Sequence, residues 1–206
     1  DDYQHGTLKA VTGTAGAVVE RQEAKDFYGR MLGDNVNNKM QFIDVPRHEG
    51  LNRCDQAISL KKNKNEQIKS LIIAIQKART KNQPILVITE DDQESGELFK
   101  ILSEKFHDNI QLIDSQLSAK EEEQKIAVAG EPQKITVSTA MIGRGTDISL
   151  KGSAKKHGLN VMVTYLPRSR EQEQIFGRSG RFGAPGEAVL ILAEDRTEKA
   201  LRKKMP

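Results

Sequence analysis

Tryptophan is absent, and the aromatic set is three tyrosines and six phenylalanines in 206 residues. Few platforms are therefore available for stacking unpaired bases. The single cysteine, Cys54, excludes an internal disulfide and a stapled secreted scaffold, so a reducing, cytosolic setting is the simplest expectation. Nothing in the sequence around Cys54 would activate a thiolate, and it reads as a plain thiol. His5, His48, His107 and His157 are scattered without metal-ligand spacing, which sets aside zinc enzymes and Cys–His hydrolases. No apolar run approaches the ~20 residues of a membrane-spanning helix. The longest runs, residues 71–75 and 84–88, are strand- or half-helix-sized. Neither sign of charge dominates, since 32 Lys and Arg against 29 Asp and Glu leave a net charge of +3. That excludes a polycationic tail but not a basic groove. Nowhere does G-x-x-x-x-G-K-[ST] occur, so the chain has no P-loop to cradle β- and γ-phosphates.

What is present alternates. Apolar residues at helical spacing predict helices over 17–32, 63–79, 95–106 and 119–129, a helix beginning at 169–175, and a helical tail over 194–204. Short apolar runs predict strands at 41–45, 57–60, 85–89, 110–113, 135–138, 159–164 and 188–192. Strand–helix alternation of this kind argues for a parallel sheet with helices on both faces. In such folds ligands bind beyond the carboxyl ends of the strands, so the segment after each strand carries the interest. Glu90-Asp-Asp92 superficially resembles a Mg²⁺-binding strand end. Without a P-loop it reads as the acidic cap of the next helix.

Two segments carry chemistry. After the 135–138 strand, Gly143-Arg144-Gly145-Thr146-Asp147 sets a guanidinium between two glycines, with a carboxylate close behind. Glycine permits close backbone approach to a ligand, and Arg144 offers a planar fork for phosphate. Asp147 can accept from sugar hydroxyls or from a neighbouring arginine; an ordinary Arg–Asp pair in a turn remains equally open. After the 159–164 strand comes Gln174-Ile-Phe-Gly177-Arg178-Ser-Gly180-Arg181-Phe-Gly183. Arg178 and Arg181 are three apart and would share a face on a helix end. Two such cations repel unless an anion lies between them, which suits a transferring phosphate. A basic solvated loop is the alternative, although four glycines between 177 and 186 give more clearance than a solvated face requires. The chain thus holds the arginine half of a nucleotide site without the phosphate cradle.

Residues 139–148 resemble helicase motif V, and residues 174–181 resemble motif VI of superfamily 2 helicases and translocases. Together, "GRGTDI" and "GRSGR" runs are most similar to the second RecA-like domain of the SecA preprotein translocase ATPase family. Val11-Thr12-Gly-Thr14-Ala15 resembles that family's motif III, and residues 83–89 resemble the strand leading into motif IV. The resemblance runs from about Leu8 to Leu192 and is most specific over 135–186. The chain departs from the family pattern at Ala140, Ile142, Phe176 and Ala184, and at Ile113-Asp-Ser-Gln116.

The resemblance implies a RecA-like α/β fold lacking its own P-loop. Residues 1–40 would be the end of a first motor domain and linker, 41–193 the second motor domain, and 194–206 a helical linker. It implies ATP with Mg²⁺ as cofactor, the Mg²⁺ ligands lying in an absent first domain. It implies Arg178 and Arg181 as an arginine-finger pair and Gln174 as the residue that helps arrange them. Gly143, Arg144, Gly145, Thr146 and Asp147 would lie near the phosphates and ribose, and Thr12 and Thr14 would couple nucleotide state to closure. The implied partners are that first domain, an unfolded protein substrate and a membrane translocation channel. The implied location is cytoplasmic or peripheral at the membrane. The chain begins with Asp1, without a signal-peptide pattern, and is expected to be a piece or processed product of a longer protein. Two alternatives stand beside this: the C-terminal domain of an RNA or DNA helicase, and a related module recast as a non-enzymatic interaction domain. Nucleic acid is the weaker expectation, given the scarce aromatics.

Overall fold

The computed structural model describes Gln22, Lys25, Asp26, residues 50–141 and residues 147–198. The expected helix at 17–32 is described only at those three positions, all helical, and the expected strand at 41–45 lies outside the described residues. The chain forms two units, one of Arg47–Pro167 with Ile175–Pro206 and a smaller one of Asp1–Pro46 with Arg168–Gln174. In the smaller unit, Gln22 donates to Asp26 at 2.8 Å, and the Gln172 amide donates to the Arg168 carbonyl at 2.8 Å.

The larger unit is a seven-stranded sheet. In chain order its elements are β1 (Arg53–Asp55), β2 (Ser59–Lys61), α1 (Lys64–Thr80), β3 (Ile85–Thr89), α2 (Asp92–Phe106) and β4 (Ile110–Ile113). Next come α3 (Ala119–Ala129), β5 (Ile135–Thr139), α4 (Ala154–His157), β6 (Leu159–Val163) and β7 (Gly186–Ala193); between the last two strands runs α5 (Ser169–Phe176), of which only Ile175 and Phe176 belong to this unit. The strand order is β1-β7-β6-β3-β5-β4, with β2 also on β7, and every pairing is parallel. From β3 the chain passes to β4 at one edge, returns to β5 between β4 and β3, then crosses to β6 and β7 on the other side of β3. This is a doubly wound sheet, as the alternating pattern predicts.

The strand residues alternate between two cores, as the two-residue pleat requires. Ile85, Val87, Ile135, Val137, Met162, Val189 and Ile191 meet α1 (Leu71, Ile75, Ala78) and α2 (Leu98, Leu102, Phe106) on one face. Leu86, Ile88, Leu159, Val161, Val163, Ala188 and Leu190 meet α3 (Ile126) and the end of α5 (Ile175, Phe176) on the other. β3 and β6 are buried along their whole length, which explains their unbroken apolar sequences.

The helices start where local chemistry permits. Asn63, Asp91 and Ser118 cap α1, α2 and α3, each side chain accepting an amide hydrogen of the first turn. Ser118 and Glu121 form a reciprocal capping box, and hydrogen bonds from Ser118 hold the Glu121 carboxyl below its ordinary range. Glu90-Asp-Asp92 is therefore a helix start, with Asp91 as the cap and Asp92 in the first turn. α2 begins three residues before the 95–106 expectation for that reason.

The β1–β2 edge was only half legible. A strand is expected at 57–60, and the structure has Ser59–Lys61 preceded by Arg53–Asp55. Residues 56–58 oppose only Val189 and Leu190, so the edge carries one extra residue, a bulge. Glu187 fastens this edge by accepting from Lys81 Nζ at 2.7 Å, from Gln83 Nε2 at 3.2 Å and from Gln56. Burial pushes its carboxyl up, but those hydrogen bonds and the Lys81 charge outweigh burial and hold it below its ordinary value of 4.5. A depressed carboxyl stabilises the fold above its unfolded pKa, and that contribution fades as pH falls through the folded value. Urea midpoints measured from pH 7 down to 3 should therefore fall at the acid end. Glu187→Gln should flatten that fall and lower the midpoint at pH 7.

Candidate functional site

The arginine segment is built by the end of α5. Ile175 and Phe176 are buried in the second core and stop the helix against the sheet. The Arg53 guanidinium covers the Phe176 ring at 5.4 Å from its centroid. The Arg178 and Ser179 amides then donate back to Ile175 and Phe176 carbonyls at 3.1 and 3.0 Å, closing the last turn tightly. Ser179, 2% exposed, donates its hydroxyl to the Leu159 carbonyl at 2.7 Å and pins the turn to the first residue of β6.

Gly180 then takes a left-handed conformation, φ 73° and ψ 28°. A Cβ there would stand 2.9 Å from Arg53 Cβ, so both backbone and space call for glycine. A short 3₁₀ turn, Arg181–Gly183, comes next and leads into β7. The Arg181 side chain is held twice. Its Nε donates to the Gly177 carbonyl at 2.8 Å, and a terminal nitrogen donates to Asp147 Oδ1 at 2.7 Å. Arg181 and Asp147 keep 39% of their side-chain surfaces in solvent. The pair therefore orients the guanidinium without burying it, and a pair this exposed adds less than about 1 kcal/mol to stability.

Two sequence expectations change here. Arg178 and Arg181 do not share a helix face, because the helix ends at Phe176 and Gly180 reverses the backbone between them. Nor does the turn lie beyond the carboxyl ends of the strands. It is fastened to the first residue of β6 (Leu159), lies against the first of β1 (Arg53) and leads into the first of β7 (Gly186). The connection leaves β6 at its carboxyl end and must return to the amino end to enter the parallel strand β7. The segment after α5 is therefore delivered to the amino end. Asp147 meets the turn because residues 147–150 also run down this face. Ile148 and Leu150 pack against the same core as Phe176.

The structure thus brings Asp147 to Arg181 and places half-buried Arg178 in the same turn. Gln174 is exposed on α5, in the smaller unit. Gly143, Arg144, Gly145 and Thr146, with Thr12 and Thr14, lie outside the described residues. Sequence reasoning missed the anchoring role of Ser179, for which only its place between the two arginine positions was a signal. It also missed Phe182, the most exposed large apolar side chain of the described residues, at 84%. No helix among the described residues is long and apolar enough to cross a membrane.

The family model described as SecA P-loop domain matches residues 50–162. The protein translocase subunit SecA of Thermosipho africanus (strain TCF52B) is 34% identical over 192 residues, covering 90% of this chain and 20% of that protein. SecA of Neorickettsia sennetsu (strain ATCC VR-367 / Miyayama) is 32% identical, covering 93% of this chain and 25% of that protein. The chain thus spans about a fifth to a quarter of the length of these relatives. Among solved structures, the C-terminal domain of the DEAD-box protein Dbp5 aligns with a TM-score of 0.54 at 17% identity, covering 74% of this chain and 83% of that one. A hypothetical ATP-dependent RNA helicase from Sulfolobus tokodaii aligns at 0.52 and 19% identity, covering 74% and 40%. At such identities the likeness shows the fold alone, a RecA-like α/β sheet.

Proposed function

Because this chain belongs to the SecA P-loop domain family, we propose that it is the second motor domain of a SecA-like, ATP-driven protein translocase. In this reading it supplies arginines to a nucleotide held by a first domain elsewhere in the protein. The observation that carries the reading is the 177–183 turn. One arginine is oriented by a carboxylate and a carbonyl yet left half in solvent, and a second lies three residues away. A chain without a P-loop has no evident use of its own for such an arrangement.

The residues fit the group. Two of Arg181's nitrogens are engaged by Gly177 and Asp147, which fixes the guanidinium plane and leaves donors of its five-hydrogen fork for phosphate oxygens. ATP with Mg²⁺, the metal held by carboxylates of the first domain, supplies the phosphoryl group whose charge spreads during transfer. Arg178 and Arg181 stabilise that charge, and Gln174 helps arrange them. Asp147 sets the direction of Arg181. Arg144, between Gly143 and Gly145 and ahead of Thr146, approaches the phosphates and ribose. Thr12 and Thr14 link nucleotide state to closure. The work done on that energy is movement of an unfolded polypeptide, with a membrane channel as partner and a cytoplasmic, membrane-peripheral location.

The fold shared with RNA helicase domains supports one rival, a nucleic-acid motor. ATP turnover by the full-length protein, measured with unfolded polypeptide and with RNA, separates them. Stimulation by polypeptide is expected. Stimulation by RNA with a steep salt dependence would make it a helicase. Negligible turnover in both would leave an interaction domain.

A further inference from the structure

Phe182 stands out on two independent grounds. Its side chain is 84% exposed. Its backbone is left-handed, φ 52° and ψ 41°, a conformation that costs a non-glycine residue about 1 kcal/mol or more. A lone exposed phenylalanine is unremarked on most surfaces. One held in a strained conformation, with its ring in water, gains nothing for this domain on either count. The surroundings impose the conformation. The Ala184 amide donates to the Arg181 carbonyl at 3.0 Å, Asn52 Nδ2 donates to the Gly183 carbonyl at 3.2 Å, and Arg181 is tied by its side chain to Gly177 and Asp147.

A second apolar side chain lies against the same turn. Leu51 is 47% exposed, and its Cδ1 would be 3.3 Å from a Cβ on Gly180. The turn that bears the two arginines thus carries one exposed apolar group, Phe182, and has another, Leu51, beside it at Gly180.

We propose that Phe182, supported by Leu51, is the apolar anchor on which the nucleotide-bearing domain of the same protein closes. This rests on the arginine-finger reading above. If Arg181 reaches a phosphate bound to another domain, its nitrogens come within about 2.7–2.9 Å of that phosphate. Consecutive Cα atoms are about 3.8 Å apart, so Phe182 is carried to the same surface. A phenylalanine buries roughly 150–250 Å² when covered. Aromatic groups beside arginines are the side chains that dominate contact energies between protein surfaces. The ring is hidden when the domains close and exposed when they part, so its burial favours the closed state in which the arginines act.

The test replaces Phe182 by the photo-crosslinker p-benzoylphenylalanine in the full-length protein. The protein is irradiated with Mg²⁺ and a non-hydrolysable ATP analogue, with ADP, or without nucleotide. The expected adduct is intramolecular, joins position 182 to the P-loop domain, and is strongest with the ATP analogue. Adducts only to added unfolded polypeptide, only to a second copy, or to nothing would overturn the proposal. Phe182→Gly is the second arm. Glycine relieves the left-handed strain, so the melting temperature should hold or rise, while polypeptide-stimulated turnover should fall roughly 10- to 100-fold. Unchanged turnover in Phe182→Gly beside a large loss in Arg181→Ala would sink the anchor and leave the arginine reading intact. The expected adduct beside unchanged turnover in Arg181→Ala would keep the contact and sink the finger.

Discussion

Arg181→Ala in the full-length protein should lower ATP turnover by about 10³- to 10⁵-fold, the range seen for arginine fingers. The loss should fall on kcat, with the KM for ATP moving little. A finger acts on charge that develops as the phosphoryl group transfers, whereas ground-state binding belongs to the domain that cradles the phosphates. Arg181→Lys should recover little of it, because an ammonium cannot donate to Gly177, Asp147 and a phosphate in one plane. Asp147→Asn should show a smaller loss of kcat with an almost unchanged urea midpoint, since the pair it breaks is 39% exposed on both sides. Turnover of Arg181→Ala within about threefold of wild type would remove Arg181 from the reaction.

Gly158→Ala should produce the largest loss of stability. Gly158 ends α4 at φ 73° and ψ −177°, a region open essentially only to glycine. A Cβ there would lie 1.6 Å from the Pro185 carbonyl oxygen and 2.3 Å from its carbon, which are backbone atoms that cannot swing aside. Relief would require β6 and β7 to separate where Leu159 pairs with Gly186, the point to which Ser179 also fastens the arginine turn. We expect destabilisation of roughly 4 kcal/mol or more, a size reserved for core and backbone collisions. That is much of the ~5–15 kcal/mol total of an ordinary domain. Urea unfolding of the purified chain monitored by circular dichroism reads it directly. A midpoint near that of wild type would mean that the β6–β7 junction gives far more easily than its geometry indicates.

The two variants probe parts of the molecule that differ in how they are written. The residue pattern alone was enough for the α/β class and most element boundaries, because those depend on side-chain periodicity. Residues 85–89 form an unbroken apolar run, the mark of a strand buried on both faces, and β3 spans them. The stripe through Ile68, Leu71, Ile72, Ile75 and Ala78 is a helix that presents one face to a core, and α1 does so. The glycine–arginine runs and the missing P-loop were equally legible, since chemistry of that kind is carried by residue type and short spacing.

Other features had no local signal. Arg53-Cys-Asp55 does not alternate in hydrophobicity and is a strand because β7 offers it a free edge. Asp147 and Arg181 are 34 residues apart and meet because two return paths descend the same sheet face. The arginine turn sits at the amino ends of β6 and β7 because a parallel crossover must bring the chain back before the next strand begins. The strain at Phe182 comes from contacts made by Asn52, Gly177 and Asp147. The sequence by itself determined the α/β class, most of the strands and helices, and where the glycine–arginine runs fall, because neighbours a few positions apart encode all three. Only the tertiary structure decided which of those residues meet, on which end of the sheet and with how much exposure. Those outcomes depend on strand order and on where each crossover lands, and no stretch of a few residues contains either.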